Sequence, residues 1–173
     1  ESSFLVREGL IEREHFCGMF GVAGMSECVE RLLSPGGNHV YGTDPEANAL
    51  AERIMERVCS QVAGFDAVYS EVAGGHFLMH AQAGFSDQKG ITPGVRIRVG
   101  EEPESLFDHI RMQARMHRFF NTGVSDIFPI EPTAKGNPDA LLDVVKGAFA
   151  LDDKYLSFYS SDSDLVRITG FLA

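Results

Sequence analysis

The sequence predicts an α/β fold. A strand–helix–strand succession lies near its end, capped helices occupy its middle, and short β-rich runs flank paired glycines. With 173 residues, 44% of them hydrophobic, the chain can bury a real core within a single domain spanning 1–173.

The elements follow in order. Residues 4–12 form a short amphipathic piece, with Phe4, Leu5, Gly9 and Leu10 set among charges. The run Cys17-Gly18-Met19-Phe20-Gly21-Val22-Ala23-Gly24 is too rich in glycine for a helix and suits a loop packed so closely that side chains would not fit. A helix starting at Gly24 or Ser26 runs to Leu33 and is closed by Pro35-Gly36-Gly37. Thr43-Asp44-Pro45 starts the next, with a capping oxygen followed by proline in the first turn. Its apolar positions recur at helical spacing up to Gly64.

Ala67–Ala73 and His76–Gln82 read as strands around Gly74-Gly75, and Val95–Val99 as a short strand. Residues 104–120 read as a helix with Leu106, Phe107, Ile110, Ala114 and His117 on one face. Val124–Ile130 is β-rich, Asn137-Pro138 caps a helix through Phe149, and Tyr155–Tyr159 is β-rich again. Such a unit normally forms a parallel pair.

Charge narrows the partners. The net charge of −10 repels a phosphate backbone, and no Lys/Arg cluster overrides it, which argues against nucleic acid. No apolar run approaches the ~20 residues that cross a bilayer, and no signal sequence opens the chain. A soluble cytoplasmic protein with no membrane partner is expected. Cys17, Cys28 and Cys59 are odd in number and widely spaced, which suits reduced thiols; Cys28 and Cys59 fall at apolar helical positions and read as core. No paired ligands suggest a metal, and Gly74-Gly75 lacks the context of a nucleotide fingerprint. The start at Glu1 without Met, and the end at Ala173 straight after an apolar run, read as marks of a fragment.

The residues that carry chemistry lie near the two ends. The last residues, Leu165-Val166-Arg167-Ile168-Thr169-Gly170-Phe171-Leu172-Ala173, place a glycine inside an apolar run, which by itself reads as a tight bend in a buried strand. Val-Arg-x-x-Gly-aromatic also resembles the C-terminal motif of glycyl radical enzymes. Phe20-Gly21-Val22-Ala23-Gly24-Met25-Ser26-Glu27 resembles the run that follows the active-site cysteine loop in anaerobic ribonucleotide reductases and their relatives, with Cys17 just ahead of it. Subclass markers are missing: Gly18 follows Cys17 where pyruvate formate-lyase has a second cysteine, and Met19 stands where the dehydratases have glutamate. No cysteine occurs in residues 60–173, so the zinc site of the anaerobic reductases is absent. What remains resembles the YjjI-like group.

The resemblance implies the C-terminal half of a ten-stranded α/β barrel, with a cysteine loop at about 15–25 and a glycine loop at about 160–173 meeting inside it. It implies a radical stored on Gly170 as a post-translational cofactor and passed to Cys17, whose thiyl radical abstracts hydrogen from a small-molecule substrate. It also implies activation by a separate protein that holds S-adenosylmethionine and an iron–sulfur cluster, with no metal or nucleotide bound here. Glu71, His76, His80 and Asp126 are candidates for the substrate pocket. His76 and His80, four apart on a strand, would share a face. A half barrel would also expose an apolar face and favour a homodimer. The rival readings are a non-catalytic spare part carrying the glycine loop and a plain α/β binding domain.

Overall fold

The structure is a computed structural model that describes residues 3–12, 15–81 and 90–159. Five helices and four short strands occur in the order α1 (Phe4–Arg7), β1 (Met19–Gly21), α2 (Met25–Leu33), α3 (Pro45–Val62), β2 (Leu78–His80), α4 (Leu106–His117), β3 (Phe128–Pro129), α5 (Pro138–Phe149) and β4 (Phe158–Tyr159). The α/β class holds. The strands form two parallel pairs, β1 with β2 and β3 with β4, and no closed barrel is present among the described residues.

The helices begin where their capping chemistry places them. Asp44 Oδ1 accepts from the Glu46 and Ala47 N–H groups, at 2.7 and 3.4 Å, and starts α3. Asn137 Oδ1 accepts from Ala140 N–H at 3.2 Å and starts α5, and Ser105 does the same for α4 through Asp108. Gly24 opens α2 in the left-handed region at φ 78°.

The main core lies between α2, α3, α4 and the segment after β2. Val29, Tyr41, Met55, Val95, Ile97, Met116 and Phe120 are all buried in it. A second cluster joins Ile110 of α4 to Phe128 of β3 and Ala148 of α5. Arg118, at the end of α4, braces α3 from outside, 3.0 Å from both Glu52 and Glu56.

The strands depart most from the sequence reading. Of Ala67–Ala73, the end is a 3₁₀ turn, Glu71–Ala73, and the remainder makes one isolated bridge, Ser70 with His15. Val95–Val99 is not a strand, although Val95 and Ile97 alternate inward and are buried. The Val95 carbonyl accepts instead from Tyr41 Oη at 2.7 Å, and the Arg96 carbonyl from Ser26 Oγ at 3.2 Å. Side chains thus take up carbonyls that a neighbouring strand would otherwise use. On α4 the buried residues are His109, Ile110, Met112, Gln113, Ala114, Met116 and His117, while Phe107 is exposed. Cys59 packs against the core, but Cys28 faces solvent.

Candidate active site

Cys17 lies on the loop that leads into β1. Parallel pairing fixes this loop: Leu78 N–H donates to the Gly18 carbonyl at 2.9 Å, and Val22 N–H to the His80 carbonyl at 3.0 Å. The Phe77 ring covers Gly18, and a Cβ at that position would lie 2.6 Å from it. The expected close packing around glycine is therefore present beside the cysteine. Phe20 meets the same ring edge-on, with centroids 4.9 Å apart.

This arrangement opens a cavity of about 440 Å³ whose walls include Phe16, Cys17, Gly18, Tyr69, Ser70 and Phe77. The volume is that of a small-molecule site. Cys17 is half-buried, its thiol 3.8 Å from the Gly18 carbonyl. His15, two residues away, points its Nδ1 at Glu12 at 3.1 Å, and both side chains are exposed.

A second set of bonds holds the far end of the loop. Gly24 N–H donates to the Thr92 carbonyl at 2.7 Å, and Ala23 bridges Pro93. Glu27, one turn into α2, accepts from both the N–H and the hydroxyl of Thr92. Arg98 joins Glu27 to Glu30 and Glu101 on the outside. Burial raises the Glu27 carboxyl pKa, but the Thr92 hydrogen bonds and the Arg98 charge outweigh it, so it ends below its ordinary value.

The other sequence candidates are not gathered at this cavity. Glu71 sits exposed on the 3₁₀ turn, one residue beyond the cavity wall. His76 is exposed and bridges Asp66 ahead of β2, so it does not share a strand face with His80. His80 is half-buried on β2, with Nδ1 unpartnered among the described residues. Asp126 belongs to the second cluster, where it accepts from His109 Nε2 at 2.9 Å and from Ile127 N–H at 2.8 Å. Both Asp126 and His109 are buried, and the His109 ring packs tilted against Phe128 with centroids 4.6 Å apart. Gly170 lies outside the described residues. Among the described residues, no three His, Cys, Asp or Glu side chains converge to hold a metal ion, and no helix is long and apolar enough to cross a membrane.

Ser70 is the wall residue that sequence reasoning missed. It is 1% exposed, and its hydroxyl has no hydrogen-bond partner among the described residues. A lone serine in Tyr69-Ser70-Glu71 carries no pattern that would mark it.

Comparison with known proteins gives the family: a family model described as glycyl radical enzyme YjjI-like matches residues 1–173, and the chain belongs to that family. It is 37% identical over 99% of its length to an uncharacterized protein of Haemophilus influenzae, and 37% identical over 99% to the uncharacterized protein YjjI of Escherichia coli. The chain spans about a third of each relative, 34% and 33% respectively.

Proposed function

We propose that this chain carries the radical-handling part of a glycyl radical enzyme, with Gly170 storing the radical and Cys17 using it. The observation that supports this most directly is the position of Cys17 on the wall of an apolar, small-molecule-sized cavity. In the reaction, the Cys17 S–H bond breaks and its hydrogen atom passes to the Gly170 α-carbon, leaving a thiyl radical. The thiyl then takes a hydrogen atom from a substrate C–H bond, restoring S–H and leaving a carbon radical. Only glycine suits the storage role, because a β-carbon would hinder the flattening that spreads the unpaired electron over the flanking amides. A dry wall suits the thiyl role, since water would intercept reactive intermediates.

The radical is installed by a separate activating protein that supplies S-adenosylmethionine and an iron–sulfur cluster. The sequence, with Cys17, Cys28 and Cys59 its only cysteines, has no cluster-binding motif of its own. Phe16, Val68 and Tyr69 at the cavity remain exposed, which fits a wall that the longer protein completes as a barrel. Glu71 follows the wall residue Ser70, and His80 pairs with Gly21 on the strand beside the cysteine loop; both remain candidates for the pocket. The test is electron paramagnetic resonance on full-length protein activated without oxygen. A doublet that disappears in Gly170→Ala supports the reading; a doublet unchanged in that variant overturns it.

A further inference from the structure

We propose that His117 and Lys154 form a clasp that fixes the start of β4 on the end of α4, and that the clasp closes only while His117 is uncharged. β4 is the last described element ahead of Gly170 in the sequence, so both are positioning residues for the point from which the chain continues to that glycine. The clasp rests on contacts among α4, α5 and β4, and stands or falls independently of the radical reading.

Lys154 contributes both its backbone and its side chain. Its N–H donates to His117 Nδ1 at 2.8 Å, and its Nζ donates to the His117 and Phe120 carbonyls at 3.0 and 2.7 Å. The ammonium thus sits at the negative end of α4, where a cation is favoured. The backbone around it is shaped to allow this. Asp152 takes φ +66°, a conformation that glycine usually supplies at a helix end, and closes α5 there. Its N–H donates to the Phe149 carbonyl at 3.1 Å, and that of Asp153 to the Ala148 carbonyl at 3.2 Å. Gly123, at φ +83°, passes so close that a Cβ would lie 3.0 Å from Lys154 Cβ and 3.2 Å from His117 Nδ1. The pairing of β4 with β3, by contrast, covers two residue pairs, and Pro129 in one of them has no N–H to donate.

The charge requirement follows from the ring. A nitrogen that accepts carries no proton, so the His117 proton sits on Nε2, 3.5 Å from Asp153 Oδ1. A second proton would enter at Nδ1 and displace the Lys154 N–H. Burial and the Lys154 charge lower the His117 pKa to about 4, against the opposing charge of Asp126. The ammonium therefore keeps the imidazole in the form that receives the Lys154 N–H, and the two halves of the clasp support each other.

The test is hydrogen exchange by mass spectrometry on full-length, unactivated protein, read as protection factors for residues 154–159 with α3 as the internal control. Lys154→Met keeps the N–H but loses the Nζ bonds, and should lower protection at 154–159 about tenfold while leaving α3 unchanged. His117→Leu should do the same, whereas His117→Asn, whose side-chain oxygen can stand in for Nδ1, should recover most of the loss. Wild-type protection at 154–159 should fall as pH drops through about 4, and that fall should be absent in His117→Asn. Unchanged protection in Lys154→Met overturns the clasp, as does equal loosening of α3. No rescue by His117→Asn, or the same fall with pH in that variant, overturns the role given to Nδ1.

Discussion

One carboxylate oxygen of Glu27 takes two hydrogen bonds from Thr92, 3.1 Å from its backbone nitrogen and 2.6 Å from its hydroxyl. The two residues are 65 apart in sequence. Their contact joins the helix that follows the cysteine loop to the turn on which that loop rests. The placement of Cys17 therefore depends on a residue outside its own segment.

Glu27→Gln should destabilise the protein by about 1–2 kcal/mol at pH 7, the usual range for losing hydrogen bonds to a charged group. The folded carboxyl titrates below its ordinary value of 4.5. Its stabilisation is complete above that value and is lost as pH falls through the lowered one. Urea unfolding should show wild type and variant converging below pH 4.5; a constant gap would mean that the charge is not what counts.

Gly94 provides a sharper steric test. Its φ is +63°, and a methyl there would run into the Ala81 carbonyl oxygen. Gly74 has the same φ with open space around it. Gly74→Ala should cost only about 1 kcal/mol of conformational strain. Gly94→Ala should cost more than about 3 kcal/mol, because backbone must move as well. Equal melting temperatures for the two variants would contradict this packing.

The helices were legible in the sequence because their signals are local. Asp44, Ser105 and Asn137 each satisfy N–H groups within three residues, so no distant partner is needed to recognise them. The strands were overread because alternation reports burial, not pairing. Val95 and Ile97 point inward as a strand would, but Tyr41 and Ser26 supply the hydrogen bonds. Cys17 stood out in the sequence through motif and context, whereas the burial of Ser70 and the Glu27–Thr92 contact arise only when separate segments meet.

Asp126 illustrates the same limit, since its burial with His109 could not be read from a β-rich segment. Removing one member of such a pair leaves the other buried without its partner. Asp126→Ala should lose about 3 kcal/mol in chemical unfolding, and Asp126→Asn less, because the amide still accepts from His109 Nε2–H. If Asp126→Asn kept full stability but abolished turnover, Asp126 would instead belong to the reacting machinery.

Asp153 should make stability fall with rising pH. Burial raises its carboxyl to about 7 from an ordinary 3.8. The folded state thus holds a proton that the unfolded state has already released between these values, and stability declines across that window. His117, 3.5 Å away, opposes this in part. Burial and the Lys154 charge lower its pKa to about 4, so its contribution rises with pH between about 4 and 6.5. Asp153→Asn removes only the declining contribution. The variant should therefore gain on wild type as pH rises from about 4 to about 7 in urea titrations, and a pH-independent difference would refute the assignment.

The proposed division between storing and using the radical makes Cys17→Ser the most informative variant. An O–H bond is a far poorer hydrogen-atom donor than S–H, so a hydroxyl at this position could not relay a radical held at Gly170. In the proposed scheme the activator acts on the glycine, however, and the substitution changes a single atom of the cavity wall. Full-length Cys17→Ser, activated without oxygen, should therefore still form the glycyl doublet while losing hydrogen exchange into bound small molecules. That exchange can be followed by deuterium incorporation from heavy water, since the thiol proton equilibrates with solvent. Deuterium incorporation at the wild-type rate in Cys17→Ser would assign the hydrogen-abstracting role to another residue. Loss of the doublet together with loss of exchange would mean that the thiol is needed to form the radical, which the separation of roles does not allow.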